Sequence, residues 1–173
     1  MKILLGVTGG IAAYKACEFC SLAMKAGHEV QVIQTGNSQR FIGSITFEGL
    51  TGNPVLIDTF QDAMDHIKWA KWADIVIVAP LSANTLAKIA HGFCDDLLST
   101  TICATPSSTP ILLCPAMNTH MWYHPMTQRN VAILQESKRF SWKMPIEKRL
   151  ACGDIGIGGL VEPSEILDFC EAL

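Results

Sequence analysis

The stretch Ile3-Leu4-Leu5-Gly6-Val7-Thr8-Gly9-Gly10 opens the chain with a short apolar run that ends in a glycine turn. Helix-forming residues follow from Ile11 to Ala26, and Gly27 is well placed to end that helix. Glu29 to Gln34 is a second run typical of a strand. This order of strand, glycine loop, helix and strand predicts a βαβ unit with two parallel strands.

Two more apolar runs predict buried strands of the same sheet, Asp74 to Ala79 and Ile111 to Cys114. Helical segments are expected before, between and after these two runs, at residues 66–73, 94–105, 125–137 and 163–172. Residues 142–145 predict a last short strand, and the glycine-rich residues 153–159 are expected to be flexible. We therefore predict an α/β fold: one three-layer domain of Rossmann or flavodoxin type over residues 1–173, with a central parallel sheet.

Composition narrows the class of protein. The 173 residues are 49% hydrophobic and only 17% charged, which suggests that some apolar surface is buried against other subunits. The net charge of −3, with no basic block, argues against binding to nucleic acid or to an anionic membrane. Seven scattered cysteines indicate reduced thiols in a cytoplasmic protein. Cys17 and Cys20 have no second pair to complete a metal site, so no metal is expected.

Glycine and polar residues follow each predicted strand at its carboxyl end, where open α/β sheets bind ligands. They are Thr8-Gly9-Gly10, then Thr35-Gly36-Asn37, then Ser82-Ala83-Asn84-Thr85. The Gly9-Gly10 turn lets backbone N–H groups approach an anion at a helix N-terminus, although the full dinucleotide fingerprint is lacking. A plain tight turn and a plain helix cap would account for the same residues.

The string Pro115-Ala116-Met117-Asn118-Thr119-His120-Met121-Trp122 directly follows the fourth apolar run. Asn118 is therefore expected on a loop at the carboxyl end of a strand. The string resembles the PxMNxxMW signature of the homo-oligomeric flavin-containing cysteine decarboxylases. The segments 66–74, 79–90 and 148–156, the last containing Arg149-Leu150-Ala151-Cys152-Gly153-Asp154, are similar to the same family. The resemblance covers the chain almost end to end.

The resemblance implies the FMN-dependent decarboxylation of 4′-phosphopantothenoylcysteine to 4′-phosphopantetheine in coenzyme A biosynthesis. In that family FMN oxidises the substrate thiol, so that the thiocarbonyl accepts the electrons released as CO2 departs. The implied cofactor-binding residues are Gly9, Gly10, Ile11, Thr35, Gly36, Asn37, Ser82, Ala83, Asn84, Thr85 and Ala116. The implied substrate-binding residues are Lys71, Asn118, Met121, Arg149, Leu150 and Ala151.

Three residues carry the implied chemistry. His66 is expected to act as a base, or as the charge that steers oxidation and decarboxylation. Asn118 can hold the substrate carboxylate with a neutral donor, which does not trap the leaving CO2 as strongly as arginine would. Cys152 would protonate the enethiol intermediate during its reduction. The plainer alternatives are a packed or surface histidine, a solvated Lys71 and a small buried cysteine.

Two other functions stay open. A peptidyl-cysteine decarboxylase shares the chemistry, but such relatives lack the loop that contains Cys152. A non-catalytic flavin-binding regulatory protein would carry a long acidic tail or lack a catalytic residue, and this chain has neither feature. The resemblance also implies a homotrimer as the minimum unit, with active sites at subunit contacts. Gly159-Leu160 departs from the pairs that close relatives often carry, and many bacterial relatives are fused to a synthetase domain.

Overall fold

A five-stranded sheet forms the centre of the computed structural model, which describes residues 1–59 and 64–173. All its pairings are parallel, in the order β2-β1-β3-β4-β5. This order reverses direction between β1 and β3, as in flavodoxin-like folds. The predicted α/β class and parallel sheet are therefore confirmed. The strands are β1 Lys2–Val7, β2 Glu29–Gln34, β3 Ile75–Leu81, β4 Ile111–Pro115 and β5 Phe140–Trp142.

Helices cover both faces of the sheet. One face carries α1, α2 and α8, and the other carries α3, α4, α5 and α7. Along β1, Ile3, Leu5 and Val7 pack into the first layer and Leu4 into the second, so the strand is buried on both faces. The helices are α1 Ala13–Lys25, α2 Ser44–Thr51, α3 Asp65–Trp72, α4 Ala83–His91, α5 Leu97–Ala104, α6 Thr119–Trp122, α7 Pro125–Glu136 and α8 Pro163–Glu171.

Local sequence signals explain several helix ends. Gly27 follows α1 with a φ of 82°, and Gly92 ends α4 with a φ of 68°, both in the left-handed region that glycine tolerates. Asp96 begins α5 through a capping box with Ser99. The predicted end of the first helix at Gly27 is confirmed.

A two-stranded antiparallel hairpin, β6 Ile146–Arg149 and β7 Ile155–Gly159, lies outside the main sheet. The prediction that residues 153–159 are flexible was wrong for residues 155–159. Their glycines allow a close approach to the segment after β4. A Cβ on Gly156 would lie 2.6 Å from Thr119 Oγ1, and Met117 N donates to Gly158 O at 2.9 Å.

The last strand of the main sheet also differs from its prediction. The expected strand at 142–145 is instead β5, which ends at Trp142. Its register against β4 pairs Ile111 with Phe140 and Leu113 with Trp142. Pairing with an apolar neighbour, rather than the local pattern after Trp142, therefore decides where this strand lies.

Candidate active site

A cavity of about 740 Å³ opens at the carboxyl edge of the sheet, at the reversal between β1 and β3. Its volume lies within the usual range for small-molecule sites, about 300–1,000 Å³. The loops after β1, β3 and β4 and the β6–β7 hairpin supply its walls. The lining residues are 9–12, 14–15, 41, 82–83, 116–118, 121, 148–152 and 158–160.

Thr8 holds the floor of the cavity together. Its fully buried hydroxyl donates to Pro80 O at 2.7 Å and accepts from Ser82 N at 2.8 Å. These bonds join the end of β1 to the end of β3. They position the loop that contains Gly9 and Gly10 and the loop that contains Ser82. The sequence prediction gave Thr8 no separate role. A hydroxyl residue directly after a buried strand was the only local signal.

The N-terminus of α1 faces the cavity without a side-chain cap. Gly10, Ile11 and Ala12 all line the cavity there. The N–H groups of residues 13–15 bond back to the carbonyls of residues 10–12, whereas the N–H groups of residues 10–12 make no backbone hydrogen bond within residues 1–59 and 64–173 and can face an anion. This arrangement suits the predicted cofactor-binding role of Gly9, Gly10 and Ile11.

The other predicted cofactor residues divide into two sets. Ser82, Ala83 and Ala116 line the cavity, and Ser82 also caps α4 by accepting from Thr85 N at 3.3 Å. The remaining predicted cofactor residues do not line it. Among them, Asn37 packs beside Gly9. A Cβ added to Gly9 would lie only 2.9 Å from the Asn37 Cβ. The roles of the remaining five, Thr35, Gly36, Asn37, Asn84 and Thr85, stay predictions.

Two of the three predicted catalytic residues meet at the cavity. Asn118 begins α6, and its Oδ1 accepts from His120 N at 2.8 Å. Its Nδ2 donates to Cys152 Sγ at 3.5 Å, although the two residues lie 34 positions apart in the chain. The hairpin therefore brings the predicted proton donor to the predicted carboxylate-binding amide.

The third, His66, does not line this cavity. Because α3 leads directly into β3, it runs antiparallel to the strands, and His66 near its first turn lies towards the carboxyl edge of the sheet. The His66 Nδ1 atom is buried and has no hydrogen-bond partner among residues 1–59 and 64–173. Lys71, further along α3, is exposed and also lies outside the cavity lining.

The substrate side of the cavity contains the predicted Met121, Arg149, Leu150 and Ala151. Lys15, which the sequence prediction missed, also lines it. The only local signal for Lys15 was its place as the one charged residue in the first turn of α1.

Lys15 is 4% exposed, and its Nζ donates to Glu162 Oε1 at 2.7 Å and to Leu160 O at 3.4 Å. Burial, the largest single influence, would lower the pKa of Lys15, but the contacts that favour the charged form, led by the hydrogen bond with Glu162 and including its negative charge, together outweigh burial and raise the pKa. Burial and the neighbouring Lys15 ammonium lower the pKa of Lys148, which also lines the cavity. Two cations beside one carboxylate favour an anionic ligand.

The residues present fit a flavin. The start of α1 offers backbone donors for a phosphate, and Ile11, Phe41, Ala83 and Met117 provide apolar surface for a flat ring system.

Away from the cavity, Cys20 is buried in the core, and burial raises the pKa of its thiol to about 12. No helix in the described ranges is long and apolar enough to span a membrane.

The solved structures that match almost the whole chain include the following two. A cysteine-to-serine mutant of PPC decarboxylase complexed with pantothenoylaminoethenethiol matches with a TM-score of 0.87 and 36% identity, over 99% of this chain and 96% of that one. The FMN-binding protein AtHal3 matches with a TM-score of 0.83 and 36% identity, over 99% and 95%.

Sequence relatives agree with the structural matches. A probable phosphopantothenoylcysteine decarboxylase of Streptococcus mutans is 41% identical over 176 residues, covering 98% of this chain and 97% of the relative. The bifunctional coenzyme A biosynthesis protein CoaBC of Bacillus subtilis is 42% identical over 174 residues, covering 98% of this chain but only 42% of that protein. The flavoprotein family model matches residues 1–173, so this chain belongs to the flavoprotein family.

Proposed function

We propose that this chain catalyses the FMN-dependent decarboxylation of 4′-phosphopantothenoylcysteine to 4′-phosphopantetheine in coenzyme A biosynthesis. The observation that carries the proposal is the 3.5 Å contact between Asn118 Nδ2 and Cys152 Sγ at a cavity that fits a flavin. An amide and a thiol from distant segments are the groups that this chemistry requires. A cytoplasmic location suits the seven free cysteines.

The named relatives support this choice of substrate. The Streptococcus protein, of nearly the same length, is named for the same decarboxylation, and the PPC decarboxylase structure holds a pantothenoyl enethiol. AtHal3 supports FMN as the particular flavin. This chain spans about two-fifths of the bifunctional relatives, so the proposal covers the decarboxylation alone.

The bound flavin would supply the electron sink that an ordinary cysteine carboxyl lacks. Asn118 Nδ2 is the donor that faces the carboxylate, because Asn118 Oδ1 is already engaged by His120 N. Because the Asn118 amide is neutral, it can hold the carboxylate in place. It stabilises the carboxylate charge less than an arginine would, so it opposes the departure of neutral CO2 less strongly. Cys152 carries the proton that is given to the enethiol carbon. The start of α1 and the Lys15–Lys148 pair favour binding of the anionic groups of the cofactor and the substrate.

Mass spectrometry of the product tests the proposal. Purified, FMN-loaded protein would be incubated with phosphopantothenoylcysteine beside its Cys152→Ser variant. We expect the wild type to release one CO2 and yield phosphopantetheine, and the variant to stop at a product two hydrogens lighter. Unchanged substrate would contradict the proposal. Turnover of a cysteine-ended peptide instead would assign the peptidyl-cysteine reaction, and flavin binding without any turnover would assign a regulatory role.

We further propose that the working unit is a homotrimer in which a neighbouring copy places His66 and Lys71 over the cavity. His66 does not line the cavity of its own chain, and within the described residues its buried Nδ1 has no hydrogen-bond partner. Exposed apolar side chains beside the cavity mouth also favour contact with another copy. They include Ile11 and Phe41, which are 60% and 48% exposed.

Mixed oligomers test this arrangement. His66→Asn and Asn118→Ala chains, each with a different tag, would be assayed alone and after co-expression and double purification. If sites combine residues from two copies, the single variants should be inactive and the mixed oligomers should regain part of the wild-type rate. Inactive mixed oligomers, or a monomer by sedimentation, would contradict the shared site.

A further inference from the structure

The turn of the β6–β7 hairpin places Cys152 between two polar side chains. Asn118 Nδ2 donates to Cys152 Sγ at 3.5 Å, and Cys152 Sγ donates to Asp154 Oδ2 at 3.4 Å. The sulfur therefore accepts a hydrogen bond on one side and donates one on the other. Asp154 is exposed, so the carboxylate connects the thiol to water.

The direction of these bonds follows from Asn118. Its Oδ1 accepts from His120 N at 2.8 Å, which turns the amide NH2 towards Cys152. An NH2 group can only donate, and an ionised carboxylate can only accept. The S–H proton of Cys152 must therefore point towards Asp154 rather than towards Asn118.

Backbone bonds hold Asp154 in this place. Leu150 N donates to Asp154 O at 2.8 Å, and Gly153 N donates to Leu150 O at 2.9 Å. Gly153 adopts a φ of 95°, which a residue with a side chain rarely adopts. The turn is thus closed by two short bonds, and the Asp154 carboxylate makes no ion pair within residues 1–59 and 64–173.

The proposed reaction consumes one proton in each turnover, because a carboxylate leaves as neutral CO2 and a hydrogen takes its place. The carbon–carboxyl bond breaks and leaves an enethiolate. The Cys152 S–H bond then breaks as its proton forms the new C–H bond at the carbon that lost CO2, and the resulting thioaldehyde would take back, at the bound flavin, the hydride and proton that the oxidation had removed. Cys152 is left as a thiolate and must regain a proton from water before the next turnover.

We propose that Asp154 is a positioning residue that returns this proton to Cys152. Its carboxylate takes a proton from water and passes it along the 3.4 Å contact to the sulfur. The inference rests on the proposed decarboxylation. It assigns Asp154 to the reduction half of the reaction and gives it no part in CO2 release.

The test compares Asp154→Asn with wild type and with Glu147→Gln, which removes an exposed carboxylate from the same hairpin. Asparagine keeps an oxygen that can accept from the thiol but cannot carry a proton. We expect Asp154→Asn, in air-saturated buffer where dissolved oxygen reoxidises the flavin between turnovers, to release CO2 at the wild-type rate and to accumulate the product two hydrogens lighter, with at least a tenfold lower yield of saturated thiol. Added acetate should restore the saturated thiol, whereas Glu147→Gln should behave as wild type.

Each other outcome refutes the assignment. Saturated thiol formed by Asp154→Asn at the wild-type rate would show that the proton comes from elsewhere. A loss that acetate does not restore, or one that also slows CO2 release, would indicate a structural role for Asp154. A wild-type chain that releases no CO2 would refute the proposed function, and the Asp154 proposal with it.

Discussion

Replacing Gly158 by alanine should detach the β6–β7 hairpin from the loop that contains Asn118. A Cβ on Gly158 would overlap Met117 O and lie 3.3 Å from the Met117 carbonyl carbon. These are backbone atoms, so no side chain can turn away. The strand must move back and strain the 2.9 Å bond from Met117 N to Gly158 O. Overpacking costs about 1–3 kcal/mol and the weakened bond about 0.5–1.5 kcal/mol, or about 1.5–4.5 kcal/mol together.

Urea unfolding and product analysis would measure this effect. We expect a lower free energy of unfolding, and a hairpin that no longer holds Cys152 near Asn118 should lose most formation of the saturated thiol. Gly49→Ala is the matched control, because a Cβ there meets nothing within 4 Å and Gly49 lies inside α2. Alanine should be neutral or stabilise that helix by up to about 1 kcal/mol. A Gly158→Ala protein as stable and active as wild type would refute the reasoning.

Three further substitutions test other contacts. Glu162→Ala should lower the free energy of unfolding by about 1–3 kcal/mol, measured in urea, because among the described residues buried Lys15 then keeps only the Leu160 carbonyl at 3.4 Å; an unchanged midpoint would contradict the pairing. Thr8→Val leaves the part-buried Ser82 N–H without its acceptor, so we expect a loss of about 1–3 kcal/mol and weaker flavin binding by fluorescence titration. Burial alone would raise the pKa of Asp96, but its bonds with Lys88 and the start of α5 lower it below 3.8. The ionised form therefore stabilises the fold above pH 3.8, and the advantage of wild type over Asp96→Asn should shrink as pH falls below that value; a constant difference would exclude the ion pair.

The first four strands of the main sheet were predictable because their apolar runs are buried in the core. The glycine turn after β1 and the Asn118 string were also predictable, because both directly follow such runs. The hairpin was not. Its glycines are typical of a flexible loop, and only their pairing with β6 and their close contact with residues 117–119 place them in a strand. Composition cannot separate these two uses of glycine.

The sequence by itself determined the α/β class, the parallel strands and the residues that meet at their carboxyl ends, because local periodicity and turn chemistry encode these features. Only the tertiary structure decided that Cys152 reaches Asn118, that Glu162 pairs with Lys15 across 147 positions, and that His66 lies outside the cavity of its own chain. These relations depend on how distant elements pack. The energy of such contacts is shared between segments, so no pattern within one segment can report it.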